Sequence, residues 1–208
     1  MTLLITGFEP FGKQHTNVSF EAIKGIDDTQ FNITIIKACI PTVFQTSISV
    51  LKSLIIKHQP DVILLIGEAG GSERVLLERI AINIDDARIP DNQGKQPIDQ
   101  PIILDGKNAY FTKLPIKDLL KVLKEADIKV TISNSAGTYI CNHLMYGMLD
   151  FLEKEPGYDH VKAGFIHVPL YEAQIAIEPE KPFMPLETTI KALNVIIKHM
   201  IETQHKTL

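Results

Sequence analysis

The stretch Val62-Ile63-Leu64-Leu65-Ile66, closed by Gly67, decides the fold class. An unbroken aliphatic run leaves no polar face, which marks a parallel strand covered on both sides rather than a half-solvated antiparallel one. Working outward, short runs rich in β-branched residues recur at Leu3 to Thr6, Ile33 to Ile40, Val130 to Ser133 and Ala163 to Val168. Between them, longer amphipathic stretches predict helices at Val18 to Lys24, Val43 to His58, Ile116 to Ala126, Thr138 to Glu153 and Leu186 to Glu202. In the last of these, Ile190, Leu193, Ile197 and Met200 fall close to helical spacing. Strands alternating with helices predict an α/β fold, a three-layer α/β/α sandwich on a mostly parallel twisted sheet. Ligands of such folds bind outside the carboxyl ends of the strands.

Residues 81 to 113 break the rhythm with Asp85, Asp86, Asp91, Asp99 and Asp105 among Pro90, Pro97 and Pro101. They predict a strand or two within a long surface excursion, and loops of that length usually carry function. No repeat, low-complexity tract or charged tail marks a boundary, so residues 1–208 are expected to form a single domain.

Composition narrows the function classes. The chain has 208 residues, enough for one core to bury roughly 70% of the unfolded surface without a disulfide or metal staple. Its formal net charge of -4 lacks the basic excess of a phosphate-backbone binder, so no nucleic-acid partner is expected. Met1 to Phe8 has no positively charged leader character, and no run of apolar residues reaches membrane-spanning length. The expectation is a cytoplasmic protein without a membrane partner, whose two cysteines, Cys39 and Cys141, remain reduced.

Four segments sit just after predicted strands: Gly7 to Gly12, Gly67 to Gly71, Ser135 to His143, and His167-Val168-Pro169. Cys141 falls about one turn into a predicted helix, where the dipole and unsatisfied amides favour a thiolate. The competing reading is a small buried hydrophobe, and Cys39, inside the apolar run Ile35 to Ile40, fits that reading better. A thiol nucleophile needs a base. His143 is near in sequence, but residues two apart on a helix point in different directions. His167, at a strand end, is the better candidate, with a satisfied core histidine as the alternative. His15, His58, His160, His199 and His205 lie in polar or terminal contexts expected at the surface. A third group must hold the imidazole tautomer. Glu78 stands between two apolar runs, either in that role or as a surface partner of Arg79 or Arg88.

Three segments together resemble the pyroglutamyl peptidase type I, or pyrrolidone-carboxylate peptidase, family. They are Thr6 to Gly12; Gly67 to Gly71 with Glu78 to Asn83 and Ala87 to Asn92; and Ser133 to Asn142 with Gly164 to Pro169. The resemblance spans nearly the whole chain. It implies a cysteine exopeptidase that removes an N-terminal pyroglutamyl residue from peptides, with no metal or organic cofactor, assembled as a homotetramer. By the same resemblance Cys141 matches the nucleophile, His167 the base and Glu78 the orienting acid. Arg88 and the Cys141 amide match the oxyanion-stabilising positions. Phe8 and Phe11 match an aromatic slot for the pyrrolidone ring, completed by Thr42, Tyr139 and Ile140. The sequence departs from the family at Glu68, where Gln is common, and at Leu76, where Ser or Thr is common. A Gln carbonyl accepts the lactam N–H without charge, whereas Glu68 brings a carboxylate that must be desolvated or protonated.

Two other chemistries compete. Cys141, His143 and His167 with Asp85, Asp86 and Asp91 would make a zinc hydrolase, although a Cys and His two apart on a helix cannot both face one ion. Alternatively, the Gly67 to Gly71 loop would hold a phosphate-bearing ligand, although it lacks the Lys-Ser/Thr ending of a P-loop.

Overall fold

The computed structural model describes residues 1–177 and 179–204. Its main sheet is built from β1 (Thr2–Phe8), β2 (Thr34–Ile40), β3 (Val62–Glu68), β4 (Val75–Glu78), β7 (Val130–Ser133) and β8 (Lys162–Val168). Their order is β2-β1-β3-β8-β4-β7. The first four in that order run parallel, while β4 lies antiparallel to β8 and parallel to β7. Two short strands, β5 (Ile80–Ile82) and β6 (Ala109–Phe111), pair antiparallel as a separate ribbon.

Alternation along β3 builds the three layers. Val62, Leu64 and Ile66 point into one core with Ala22, Leu119 and Leu193, from α1 (Val18–Lys24), α3 (Ile116–Glu125) and α5 (Leu186–Gln204). Ile63 and Leu65 point into the other, with Ile48 and Leu51 of α2 (Thr46–His58) and Leu144 and Met148 of α4 (Ile140–Lys154). Both faces of β3 are sealed, as its unbroken aliphatic run requires. The α/β/α sandwich on a mostly parallel sheet is therefore the observed architecture. No helix among the described residues is long and apolar enough to cross a membrane.

Local chemistry sets how closely α1 docks. Asn17 caps it by accepting from the Ser19 amide, and Ser19 Oγ accepts from the Phe8 amide, stitching the helix start to the end of β1. A Cβ on Gly7 would stand 2.6 Å from the Phe20 nitrogen, so only glycine permits this approach.

Several expectations need correction. Cys39 is exposed rather than buried, because β2 is an edge strand, although partial desolvation and the nearby Glu9 charge push its thiol up to about 11. The helix bearing Cys141 begins at Ile140, two residues later than the sequence predicts, and α2 begins at Thr46 rather than Val43. Strand β4 lies in a segment where the sequence predicts no strand. His15 and His160 are exposed as expected, but His58 and His199 are half-buried within their helices; His205 lies outside the described residues.

Candidate active site

The carboxyl ends of β1, β3 and β8 open onto a cavity of about 820 Å³. It is lined by Phe8, Phe11, Thr42, Glu68, Arg88, Tyr139, Ile140, Cys141 and His167, residues scattered over most of the chain that the sequence resemblance groups together. Glu78 does not line the cavity and lies behind His167.

Cys141 is the second residue of α4 and is half-buried. The amides of a first helical turn have no intrahelical partner, and no side chain caps α4, so an anion held here meets free N–H groups and the positive end of the helix dipole. The approach to the helix turns at Gly137 (φ 78°). It is pinned by mutual bonds between Thr138 and Asp86, with Thr138 Oγ1 donating to the Asp86 carbonyl at 2.8 Å and the Asp86 amide donating to the Thr138 carbonyl at 2.9 Å. Asn142, fully buried, accepts from the Ile82 amide and donates to the carbonyls of Ile82 and Ile84. The excursion is thereby fastened to the helix on both sides of Cys141.

On β8, His167 pairs in register with Gly67 of β3. A Cβ at Gly67 would meet the Phe165 ring at 2.5 Å and Cys141 Sγ at 3.1 Å, so the absence of a side chain brings the sulfur against the sheet edge. His167 Nδ1 lies 2.8 Å from Glu78 Oε1. Leu76 is the direct partner of His167 across the antiparallel β4–β8 pair, which puts Glu78 on the same face one diagonal step along. Glu78 is 1% exposed and does not contact Arg88 as a surface residue would; Arg79 instead donates through Nε to Asn134.

Burial pulls the His167 imidazole down, but the negative charge at Cys141, the hydrogen bond to it and the Glu78 carboxylate outweigh that and push it up to about 10. The ring thus lies between Cys141 on one side and Glu78 on the other. This arrangement suits a thiolate nucleophile beside a cationic proton donor, with a carboxylate fixing the ring.

The pocket walls are largely aromatic. Phe8, 3% exposed, lies 6.3 Å from the Phe165 ring, and Phe11 lies at the same centroid distance from Tyr139. Tyr139 Oη donates to the Pro90 carbonyl, and Thr42 Oγ1 donates to the Glu9 carbonyl. Glu68 Oε2 accepts from Gln174 Nε2 at 2.5 Å, and the same amide nitrogen donates to the Thr16 carbonyl. Arg88 stands exposed at the cavity lining.

The sequence reading missed the contribution of the segment after β8, from which Ile177, Glu180 and Lys181 reach the cavity. No periodicity signals it, because it is irregular and is held by contacts distant in sequence, among them the Leu170–Phe183 bridge and the bonds of Gln174 to Thr16 and Glu68. The donors proposed for zinc are employed elsewhere: His143 bonds Asp85, while Asp91 accepts the amides of Phe44, Gln93 and Lys95. Among the described residues, no group of three or more His, Cys, Asp or Glu side chains is arranged to hold a metal ion.

A family model described as pyroglutamyl peptidase matches residues 1–203. The pyrrolidone-carboxylate peptidase of Thermosipho africanus is 48% identical over 202 residues, covering 97% of this chain and 98% of that one. That of Clostridium botulinum is 47% identical, covering 97% and 94%. Among solved structures, Bacillus amyloliquefaciens pyroglutamyl peptidase I superposes with a TM-score of 0.88 at 40% identity, covering 94% of each chain. The pyrrolidone carboxyl peptidase of Pyrococcus furiosus gives 0.92 at 36% identity, covering 98% and 99%. With the fold, the full-length match and the shared identity in agreement, this chain belongs to the pyroglutamyl peptidase family, hydrolases that act on peptide bonds.

Proposed function

We propose that the chain is a cysteine exopeptidase that removes N-terminal pyroglutamate from peptides through Cys141, His167 and Glu78. The observation carrying this reading is the continuous line of contacts from Cys141 through the buried His167 to Glu78 at the edge of the cavity. The Cys141 thiolate attacks the carbonyl carbon joining pyroglutamate to the next residue, and the carbonyl oxygen takes up negative charge. The Cys141 amide and Arg88 stabilise that oxyanion. As the C–N bond breaks, His167 delivers its Nε2 proton to the departing amine, leaving a thioester. His167 then takes a proton from water, the resulting hydroxide attacks the thioester, and the C–S bond breaks to release pyroglutamate and restore the thiolate. Glu78, bonded to Nδ1, holds the ring so that Nε2 faces the reaction throughout.

The pyrrolidone ring is small, flat and neutral, and the slot formed by Phe8, Phe11, Thr42, Tyr139 and Ile140 suits it, with Glu68 near the lactam group. No step requires a metal or organic cofactor. The same proposal places residues 1–208 in one domain, acting in the cytoplasm as a homotetramer without nucleic-acid or membrane partners. Sedimentation velocity tests the assembly.

Hydrolysis of a chromogenic pyroglutamyl amide by the wild type and by Cys141→Ala tests the chemistry. The expected result is turnover by the wild type alone, insensitive to chelator and abolished by iodoacetamide. Equal turnover by both proteins refutes the assignment, and loss of activity in chelator revives the zinc reading.

A further inference from the structure

Two residues beyond Cys141 on α4 lies a buried ionisable pair that the catalytic scheme leaves unused. His143 is 0% exposed and Asp85 4%, and neither lines the cavity. His143 Nδ1 sits 2.8 Å from Asp85 Oδ2 and 3.0 Å from Oδ1. On the far side of the ring, the Gln45 amide donates to Nε2 at 3.0 Å. Because Nε2 accepts, it carries no proton, so Nδ1 does and donates it to Asp85. The ring is a neutral imidazole of one fixed tautomer.

The backbone that this ring holds is strained. Gln45 has φ 62° and ψ -46°, and the Thr46 amide donates to the Phe44 carbonyl at 2.7 Å, closing a γ-turn of the rare, unfavourable hand on a residue that is not glycine. Such a conformation persists only where the surroundings over-determine it. Here two successive amides are each taken by a buried acceptor from another segment, Phe44 by Asp91 Oδ2 at 2.9 Å and Gln45 by His143. The turn in turn aims the Phe44 ring, which meets Tyr139 edge-on at 5.5 Å and His143 edge-on at 5.2 Å. Thr42 stands two residues upstream. The other partner, Asp85, is bridged through its backbone to Gln100 and lies three residues before Arg88 in the excursion.

We propose that His143 and Asp85 form a positioning pair that sets the Thr42 and Tyr139 wall of the substrate slot, with Phe44 backing Tyr139, by locking the strained turn at Gln45 to the helix that carries the nucleophile. The inference rests on the proposed reading of that slot as the pyroglutamyl site. The pair touches no reacting atom, so its effect falls on substrate binding while the nucleophile keeps its reactivity.

The test measures KM and kcat for a chromogenic pyroglutamyl amide together with the rate of Cys141 alkylation by iodoacetamide. His143→Ala is expected to raise KM by about tenfold or more, since small displacements of positioning groups are amplified at a site. Its alkylation rate and kcat stay within about twofold of wild type, the same order expected when only ground-state positioning changes. Asp85→Asn, whose carbonyl still accepts the Nδ1–H, restores a KM near wild type, whereas Asp85→Ala does not. An unchanged KM in His143→Ala, or a parallel fall of kcat and alkylation rate, overturns the inference. If His143→Ala does not fold, the Asp85 variants decide: a higher KM in Asp85→Ala than in Asp85→Asn supports the inference, and equal values overturn it. Failure of the wild type to hydrolyse the amide refutes the proposed function itself, and with it this inference.

Discussion

Nδ1 of His167 lies 2.8 Å from Oε1 of Glu78, a carboxylate 1% exposed and contributed by a strand antiparallel to the one bearing the histidine. Burial pulls the imidazole down, but its interaction with Cys141 and this contact with Glu78 outweigh that and push it up from its ordinary value of 6.5 to about 10.

Glu78→Gln is expected to lower kcat by about a hundredfold or more, by analogy with other triads that lose the orienting carboxylate. Removing the charge also lowers the pH at which His167 loses its proton, so the alkaline limb of the kcat/KM profile moves to lower pH. The sign for stability follows from the upward shift of His167. Its pairing stabilises the fold fully below about pH 6.5, and that contribution disappears as pH rises through about 10. Thermal unfolding across this window should show the gap between wild type and Glu78→Gln closing at its alkaline end. A gap independent of pH contradicts the assignment of charge to the ring.

At Gly67, an added methyl has nowhere to go. It would meet the Phe165 ring at 2.5 Å and Cys141 Sγ at 3.1 Å, on a strand whose buried residues leave no slack. Gly67→Ala should destabilise the protein by about 1–3 kcal/mol through overpacking, measured by chemical denaturation. It should also slow alkylation of Cys141. Full stability with full activity would show that β3 and α4 can separate without consequence.

Glu68→Gln keeps an acceptor for the Gln174 amide and removes a carboxylate from the pocket lining. The fold should remain intact, and kcat/KM should rise, most visibly at higher pH where the carboxylate is charged. An unchanged or lower kcat/KM across a pH series would sink this expectation.

Asn142 is fully buried and exchanges three hydrogen bonds with the ribbon strand β5 and its exit, at Ile82 and Ile84. Asn142→Ala removes the side-chain partner of the Ile82 amide and the Ile84 carbonyl, while the Ile82 carbonyl keeps its bond from the Ile84 amide, at a cost of about 1–3 kcal/mol. Urea unfolding measures the loss, and hydrogen exchange at the Ile82 amide should accelerate if the ribbon detaches.

Much of this molecule was legible along the chain. The aliphatic run of β3 implied a strand sealed on both faces, and Val130–Ser133 and α1 appear with the bounds that their composition predicts. Four segments were legible as approaching one edge because they follow strands, and parallel strands deliver their carboxyl ends there; the individual residues lining the cavity were grouped only by the family resemblance. What stayed hidden depended on non-local pairing. Strand β4 is only four residues long, follows a glycine-rich loop and inserts between β8 and β7, antiparallel to the first and parallel to the second, so nothing in its local pattern announces it.

The order of residues by itself therefore determined the layered α/β architecture and the segments that approach the cavity. Tertiary structure decided the rest: Glu78 reaches His167 because of the β4–β8 register, Cys39 is exposed because β2 has a neighbour on one side only, and His143 is sealed against Asp85 and the turn at Gln45. The physical reason is the range of the forces involved. Side-chain periodicity and capping act over a few residues, whereas strand order, register and burial are set by contacts between segments far apart in the chain.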